Sequence, residues 1–266
     1  MAIKRQKTVE GIGIFTSFLI VAVCLSGCTR KMETQYDSGQ LKEKYAVQKN
    51  ADGNFIKHGS YESWHENGKK KQEGFFKDDK KDGKHVFWYE NGQKESEGEF
   101  KDNQKIGTWN EWYDNGQKRS EGSFEAGAMV GTWTDWYENG QKKAETEFQD
   151  NKKNGKSVKW HENGQKHYEG IFEGGRRTGQ WICWYENGKK NFEGEFKDGR
   201  ENGRWIYWYE SGEKASEGSY RNGKKNGKHI SWYESGQKKS EGEFQDNKKM
   251  GEWTYWDETG EIKSAG

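Results

Sequence analysis

The segment Trp88–Phe100, WYENGQKESEGEF, has the pattern of a β-hairpin. Asn91-Gly92 is the dipeptide that two-residue hairpin turns favour most, because both central residues of such a turn need positive φ. The same pattern returns as WYDNGQKRSEGSF from Trp112, as WYENGQKKAETEF from Trp136 and as WYENGKKNFEGEF from Trp184. A hairpin that recurs at a fixed spacing predicts a repeat array.

The spacing is 24 residues, and it holds through nine copies without insertion. Glycine lies five residues before and four residues after the tryptophan of every copy. Each copy predicts two strands and two tight turns, so the array predicts about eighteen strands in an antiparallel meander. An earlier partial copy, YDSGQLK from Tyr36, is out of step by five residues and is interpreted as a degenerate cap. The nine tryptophans are Trp64, Trp88, Trp112, Trp136, Trp160, Trp184, Trp208, Trp232 and Trp256.

The composition of the 266-residue chain excludes an ordinary aliphatic core. Charged residues make up 33% of the chain, the mean hydropathy is −1.38, and no leucine follows Leu41. The chain nevertheless has 14 Trp, 13 Tyr and 13 Phe, whereas disordered segments are poor in aromatics. These observations predict an all-β fold held together by rings, an elongated, twisted, single-layer sheet of about nine hairpin repeats.

The strand register follows if both turns of a copy contain two residues. Tyr89 then faces Lys94, and Trp109 faces Gly122, so that large rings lie over glycines on neighbouring strands. Neighbouring copies slip by two residues, which keeps equivalent side chains on one face. The same register pairs Gly107 with Phe124.

The register also predicts which side chains share a face of the sheet. One face is predicted to carry Trp109, Tyr113, Lys118 and Phe124 with their equivalents, and the other Trp112, Asp114 and Glu121 with theirs.

The N-terminus predicts export and a lipid anchor. A basic stretch with Lys4, Arg5 and Lys7 precedes an apolar, uncharged segment over residues 11–23. LSGC at residues 25–28 resembles the bacterial lipobox, which implies cleavage before Cys28 and acylation of its thiol, for example with palmitate. Because Thr29 rather than aspartate follows, the resemblance implies the outer membrane if the host has two membranes. The predicted organisation is a lipoprotein signal peptide at 1–27, a tether and degenerate capping repeat at 28–54, and the repeat domain at 55–266.

The stretch EGEFKDNQKIGTWNEWYDNGQ, residues 97–117, resembles the MORN repeat. The positions that carry the resemblance are Gly98, Phe100, Asn103, Gly107, Trp109, Trp112 and Gly116. The 24-residue period and the WYENG signature are similar to the bacterial variant of that repeat, whose members are often exported or lipid-anchored and often carry an antitoxin-component label. Choline-binding and glucan-binding solenoid repeats are the second resemblance, although their units are shorter and less charged.

Nothing in the sequence predicts an enzyme, a cofactor or a metal site. The six histidines replace aromatic residues on strands or stand alone, and they lack metal-ligand spacing. The chain has no P-loop and no Gly-x-Ser-x-Gly motif, and the position of Cys183 varies between copies. The net charge of +1 gives no sign of a nucleic-acid partner.

The predicted function is that of a lipid-anchored envelope repeat protein that binds or scaffolds a protein partner. The alternatives are an antitoxin-like or immunity-like partner protein and a cell-wall glycan-binding repeat protein. Lys and Glu columns are interpreted as a solvated surface, and exposed rings as the binding positions. The predicted binding residues are Trp109, Tyr113, Trp133, Tyr137, Trp181, Tyr185, Trp205 and Tyr209.

Overall fold

A computed structural model describes residues 29–265, and every regular element in that range is a β-strand. The predicted signal peptide and the predicted lipidation site, Cys28, lie outside the described residues. The strands are β1 (Arg30–Gln35), β2 (Leu41–Lys49), β3 (Phe55–Trp64), β4 (Lys70–Lys77), β5 (Lys80–Lys81), β6 (Gly83–Trp88), β7 (Lys94–Lys101), β8 (Gln104–Trp112), β9 (Lys118–Glu125), β10 (Ala128–Trp136), β11 (Lys142–Gln149), β12 (Lys152–Trp160), β13 (Lys166–Glu173), β14 (Arg176–Trp184), β15 (Lys190–Lys197), β16 (Arg200–Trp208), β17 (Lys214–Arg221), β18 (Lys224–Trp232), β19 (Lys238–Gln245), β20 (Lys248–Trp256) and β21 (Ile262–Ala265).

The chain divides into two compact units. The first reaches to Gln93 and includes Phe100–Asn103, and the second comprises Lys94–Glu99 and the chain from Gln104 onward. In the first unit β1 pairs with β2, β2 with β3, β3 with β4, and β4 with β5 and β6. In the second unit every strand from β8 onward pairs with the strand that follows it. Both units are antiparallel meanders, which confirms the predicted all-β fold. The segment predicted to be a tether and degenerate capping repeat, residues 28–54, includes β1 and β2.

The turn that follows each tryptophan of the 24-residue period has three residues, not the predicted two. In the copy that starts at Trp112, the Tyr113 amide donates to the Gln117 carbonyl (2.8 Å), and the Gly116 amide donates to the Tyr113 carbonyl (3.0 Å). Positive φ falls on Gly116 (84°), as in a hairpin whose type I turn ends in a left-handed glycine. Likewise, the Tyr89 amide donates to Gln93 (2.9 Å), so the predicted pairing of Tyr89 with Lys94 is wrong.

A β-bulge then restores the predicted register. Trp112 pairs with Lys118, but Glu111 pairs with Ser120, so Arg119 is an extra residue in its strand. The bulge offsets the one-residue shift in pairing that the three-residue turn introduces. Beyond it, the predicted pairs are confirmed: Trp109 with Gly122 and Gly107 with Phe124.

The bulge changes one predicted face assignment. Lys118 was predicted to share a face with Trp109, but it pairs with Trp112 and forms an ion pair with Glu121. It therefore lies on the opposite face, because the extra residue at the bulge reverses the alternation of side chains.

The second turn of each copy is the two-residue type with two positive φ angles. Asp102 and Asn103 have φ of 49° and 68°. The strands that leave such turns contain another irregularity: Met129 pairs with Phe124, but Asp135 pairs with Ser120. The pairing shifts by two residues around Gly131, whose φ is 66°.

This shift cancels the slip between neighbouring copies. Ser120 pairs with Glu111 in its own hairpin and with Asp135, the residue equivalent to Glu111, in the next copy. The prediction that neighbouring copies slip by two residues is therefore wrong for the part of each strand beyond the irregularity. Equivalent residues of successive copies instead stand directly across the strands from one another, which produces straight rows of like side chains.

A row of rings within the single layer of strands forms the core. Trp181 and Trp205 are each 1% exposed, and Phe196 between them is 8% exposed. Phe196 meets both indoles edge to face, with ring centroids 5.9 and 4.8 Å apart. A tryptophan ring also covers the glycine of the preceding strand: a Cβ on Gly194 would overlap the Trp205 ring. By contrast, nothing lies within 4 Å of a Cβ placed on Gly131, so no ring covers that glycine.

At each irregularity, φ of the glycine correlates with the type of the residue two positions later. Where the ring is tryptophan, φ of the glycine lies between 63° and 69°, as at Gly131 and Gly203. Where another residue stands there, φ lies between 88° and 117°, as at Gly155 (114°), which precedes Ser157. The copy with Ser157 also has Thr146 in place of the covered glycine, and the two hydroxyls hydrogen bond at 2.8 Å. One polar pair thus replaces one ring-on-glycine pair.

Candidate binding surface

The four tryptophans predicted to bind a partner are buried. Trp109, Trp181 and Trp205 are 1% exposed and Trp133 is 7% exposed. Each indole N–H donates to a backbone carbonyl of the preceding strand at 3.1–3.3 Å, for example Trp205 Nε1 to Glu195 O. These side chains therefore stabilise the sheet by ring packing and by hydrogen bonding.

The four predicted tyrosines connect neighbouring copies. The hydroxyl groups of Tyr113, Tyr137, Tyr185 and Tyr209 each donate to the carbonyl oxygen of the next copy's tryptophan at 2.7–2.8 Å. His161 occupies the position equivalent to these tyrosines, and its Nε2 lies 3.0 Å from Trp184 O. That the eight residues bind a partner stays a prediction: the four tryptophans are buried, whereas the four tyrosines are half-buried.

One exposed row consists of a tryptophan, a lysine and a glutamate from each copy. Lys142 Nζ lies 5.5 Å from the centroid of the Trp160 ring and 2.7 Å from Glu145 Oε2. The lysine thus contacts a ring of the next copy and a carboxylate of its own strand, which combines a cation–π contact with an ion pair. We call this row the Trp–Lys–Glu stripe. In the second unit its lysines are Lys94, Lys118, Lys142, Lys166, Lys190, Lys214 and Lys238.

The stripe offers a regular surface rather than a deep pocket. Its tryptophans, such as Trp160 and Trp208, are half-buried, so part of each ring remains accessible. Successive clusters are two strands apart, which is about 9.6 Å. A shallow depression of about 530 Å³ lies beside Trp208, lined also by Lys189, Lys190 and Ser211. The columns of lysine and glutamate were visible in the sequence, but their contact with the tryptophans depends on the bulge.

Two histidines in the ring row, His85 and His229, are buried. His229 is 7% exposed, and its Nε2 lies 2.8 Å from Ser219 O. Burial lowers the pKa of His229 below its usual 6.5, and the nearby Lys225 lowers it further, although the hydrogen bond to Ser219 opposes them. Burial likewise lowers the pKa of His85, which is fully buried.

We expect the sheet to lose stability as the pH falls from about 7.5 to about 5.5. The neutral imidazole is favoured in the folded chain, so its contribution is complete above the unfolded pKa and is lost as the unfolded state takes up protons. His229→Trp restores the ring of other copies and should reduce this pH dependence. Melting temperatures of both proteins across the pH range test the effect, and parallel curves would contradict it.

Among the described residues, neither clustered metal ligands nor an activated thiol is present. Between residues 29 and 265, no group of three or more His, Cys, Asp or Glu side chains is arranged to hold a metal ion. Cys183 is half-buried, and burial raises the pKa of its thiol, which disfavours the nucleophilic thiolate. No helix in this part of the chain has the length and apolarity to cross a membrane.

The repeated hairpins, the glycine turns and the rows of rings define a β-hairpin repeat protein. The family model described as MORN repeat variant matches seven segments, which together cover more than half of the chain, so the chain belongs to that family. The unmatched stretch between the fourth and fifth of these segments, residues 151–176, contains Ser157 in place of a ring, whereas its partner Thr146 lies in the matched segment 129–150. The matched residues are 57–78, 81–102, 105–126, 129–150, 177–198, 201–222 and 225–246.

Comparison with other proteins adds little to this assignment. No curated protein matches the chain. The chain is similar to a solved structure described as "Crystal Structure of TcdB2-TccC3", with 9% identity and a TM-score of 0.22 over 85% of this chain. A second, "Crystal Structure of TcdB2-TccC3-Cdc42", has 9% identity and a TM-score of 0.21 over the same share. The aligned region spans 14% of either of those chains.

Proposed function

We propose that this protein is a lipid-anchored module of the cell envelope whose repeat array binds a protein partner at many equivalent positions. The observation that carries the proposal is the Trp–Lys–Glu stripe, which presents one small cluster seven times in the second unit at a constant spacing. Half-exposed tryptophans beside charged groups are typical of protein interfaces. A single cluster exposes little area, so affinity comes from several clusters that bind one long or multivalent partner.

Exchanging the charges within the stripe tests the array. Lys166→Glu with Glu169→Lys retains an ion pair and the net charge, but it removes the cation over Trp184. We expect partner affinity to fall in steps as one, two and three copies carry this exchange, whichever copies are chosen. Pull-down of envelope proteins followed by titration with the captured partner measures the steps. A loss confined to one copy would point to a single unique site.

A cell-wall glycan is the competing ligand, and an antitoxin-like role would be a special case of protein binding. Half-exposed tryptophan rings about 9.6 Å apart also suit the sugar faces of an extended chain. Parallel binding assays with purified cell-wall glycan separate the two classes. Saturable binding to glycan that the charge exchanges weaken, with no captured protein, would overturn the protein-partner proposal.

The lipid anchor has its own test. Cys28→Ser removes the proposed acylation site, so the variant should move from the detergent-rich to the aqueous phase and lack the mass of the acyl chains. The unchanged protein is the matched control. A mature N-terminus at a residue other than Cys28 would contradict the proposal.

A further inference from the structure

The stripe tryptophans differ from the ring-row tryptophans in the use of their indole N–H groups. In the ring row, the N–H groups donate to backbone carbonyls. In the stripe, those of Trp160, Trp184 and Trp208 donate no hydrogen bond to any residue between 29 and 265, and none of them is a buried atom without a partner. These N–H groups therefore reach the surface, so each half-buried ring offers an apolar face together with a hydrogen-bond donor.

The space between successive stripe rings is lined by methylene groups. Lys166 pairs with Trp160 across the strands, and its Nζ lies 5.5 Å from the centroid of the Trp184 ring, so its side chain spans the space between the two rings. Lys190 spans the space between Trp184 and Trp208 in the same way. The stripe is therefore a shallow, continuous track of aromatic rings and aliphatic chain with a donor at each ring.

The period of this track fits one backbone conformation. The rings recur every two strands, or about 9.6 Å. A polyproline II helix has three residues per turn and rises about 3.1 Å per residue, so its equivalent side chains recur every ~9.3 Å. Side chains on one face of an extended β-strand recur every ~6.6 Å, which does not match. A polyproline II helix also makes no internal hydrogen bonds, so its carbonyl oxygens can accept from the indole N–H groups.

The unpaired charge beside the track is acidic. The ten-residue segments that start at the five stripe tryptophans from Trp136 to Trp232 contain eight basic and eleven acidic residues. Each of the eight basic side chains contacts a carboxylate, a ring or a backbone carbonyl, as Lys189 contacts Ser211 O. Four exposed glutamates, each two residues after a stripe tryptophan, form no ion pair with another described residue: Glu138, Glu162, Glu210 and Glu234. A ligand with positive charge therefore complements the track.

We infer that the partner segment bound by the stripe is a proline-rich, basic stretch in the polyproline II conformation that lies along the track, across the strands. The inference rests on the proposed function, because it names the chemistry of the partner at the same surface. Each turn of the segment places a proline ring against one stripe tryptophan and a carbonyl oxygen within reach of its N–H group. A basic residue of the same turn meets the exposed glutamate of that copy, and several turns bind at once.

Synthetic peptides of about fifteen residues test the inference with the full chain, because this length of polyproline II spans about 46 Å, or about five periods of the track. The probe is a repeat of Pro-Pro-Lys. Three control peptides each change one property. A Pro-Pro-Glu repeat reverses the charge, a Pro-Pro-Pro-Lys repeat keeps the helix but places the lysines out of the period, and a Gly-Ser-Lys repeat keeps the lysine period without the helix.

We expect the Pro-Pro-Lys peptide to bind at least about tenfold more tightly than each control in isothermal titration calorimetry, because it alone combines the helix, the period and the charge. It should also displace the captured partner. Equal affinity for the Gly-Ser-Lys peptide, or no binding of the Pro-Pro-Lys peptide, would overturn the inference. The proposed function would stand in either case if the charge exchanges in the stripe still weaken binding of the captured partner.

A second measurement tests the indole donors. Trp160→Phe with Trp184→Phe keeps two rings but removes two N–H groups, so the affinity for the Pro-Pro-Lys peptide should fall by about tenfold. The matched control is Tyr207→Phe with Tyr255→Phe, which removes two hydroxyl groups from the opposite face and should leave the affinity unchanged. Circular dichroism establishes that both proteins are folded. An unchanged affinity of the folded tryptophan variant would overturn the inference.

Discussion

Gly194→Ala is expected to lower the free energy of unfolding by about 2–3 kcal/mol, a large effect for one added methyl group. The new Cβ would overlap the ring of Trp205, which is 1% exposed and held on its other sides by Phe192, Phe196 and Tyr207. The ring cannot move away without breaking the Trp205 Nε1 bond to Glu195 O. Urea denaturation monitored by tryptophan fluorescence measures the change.

Thr146→Ala is the matched control, because Thr146 occupies the equivalent position opposite Ser157 instead of a ring. It should cost about 1 kcal/mol, the usual contribution of one hydrogen bond. In a Trp205→Ala background, Gly194→Ala should cost much less than in the unchanged protein, since the overlapping ring is gone. Equal costs in both backgrounds would show that the ring does not restrict this glycine.

Gly155→Ala is expected to destabilise the chain by about 3 kcal/mol, because φ of 114° lies outside the region that side-chain-bearing residues adopt. Its Cβ would also overlap the side chain of Glu147. Gly131→Ala, at the equivalent place in another copy, should cost only about 1–2 kcal/mol. There φ is 66°, within the left-handed region, and a Cβ meets nothing within 4 Å.

Comparison of the urea midpoints of these two variants tests whether the ring residue determines the backbone angle. Exchanging Ser157 for tryptophan together with Thr146→Gly should bring the cost of Gly155→Ala closer to that of Gly131→Ala. If the two alanine variants are equally stable, the difference in φ between the copies has no energetic consequence.

The period and the covered glycines made most of the fold predictable from the sequence. The meander and the pairs of Trp109 with Gly122 and Gly107 with Phe124 followed from the turns alone. They were obtained although the turn type was wrong, because the bulge at Arg119 compensates for the three-residue turn. The one-residue error in the predicted turn therefore did not change the strand pairs predicted beyond the bulge. Before the bulge, it placed Lys118 on the wrong face of the sheet.

The candidate surface was harder to predict, because aromatic residues are both the core and the exposed rings of a single-layer sheet. Residue type alone does not distinguish Trp109, which is buried over a glycine, from Trp112, which is half-buried in the stripe. The distinction depends on whether a ring stands opposite a glycine of the preceding strand or beneath a lysine of the preceding copy. The first relation could have been found at a spacing of eleven residues, as from Gly98 to Trp109.

The absence of slip between copies has a genetic consequence. Since a copy contacts the copies beside it through the same rows of residues, removing or duplicating 24 residues joins surfaces that already fit each other. In-frame recombination between two copies can therefore lengthen or shorten the array without a compensating mutation. Array length becomes a heritable variable that selection can adjust, with reach and valency changing together while the chemistry of each copy stays the same.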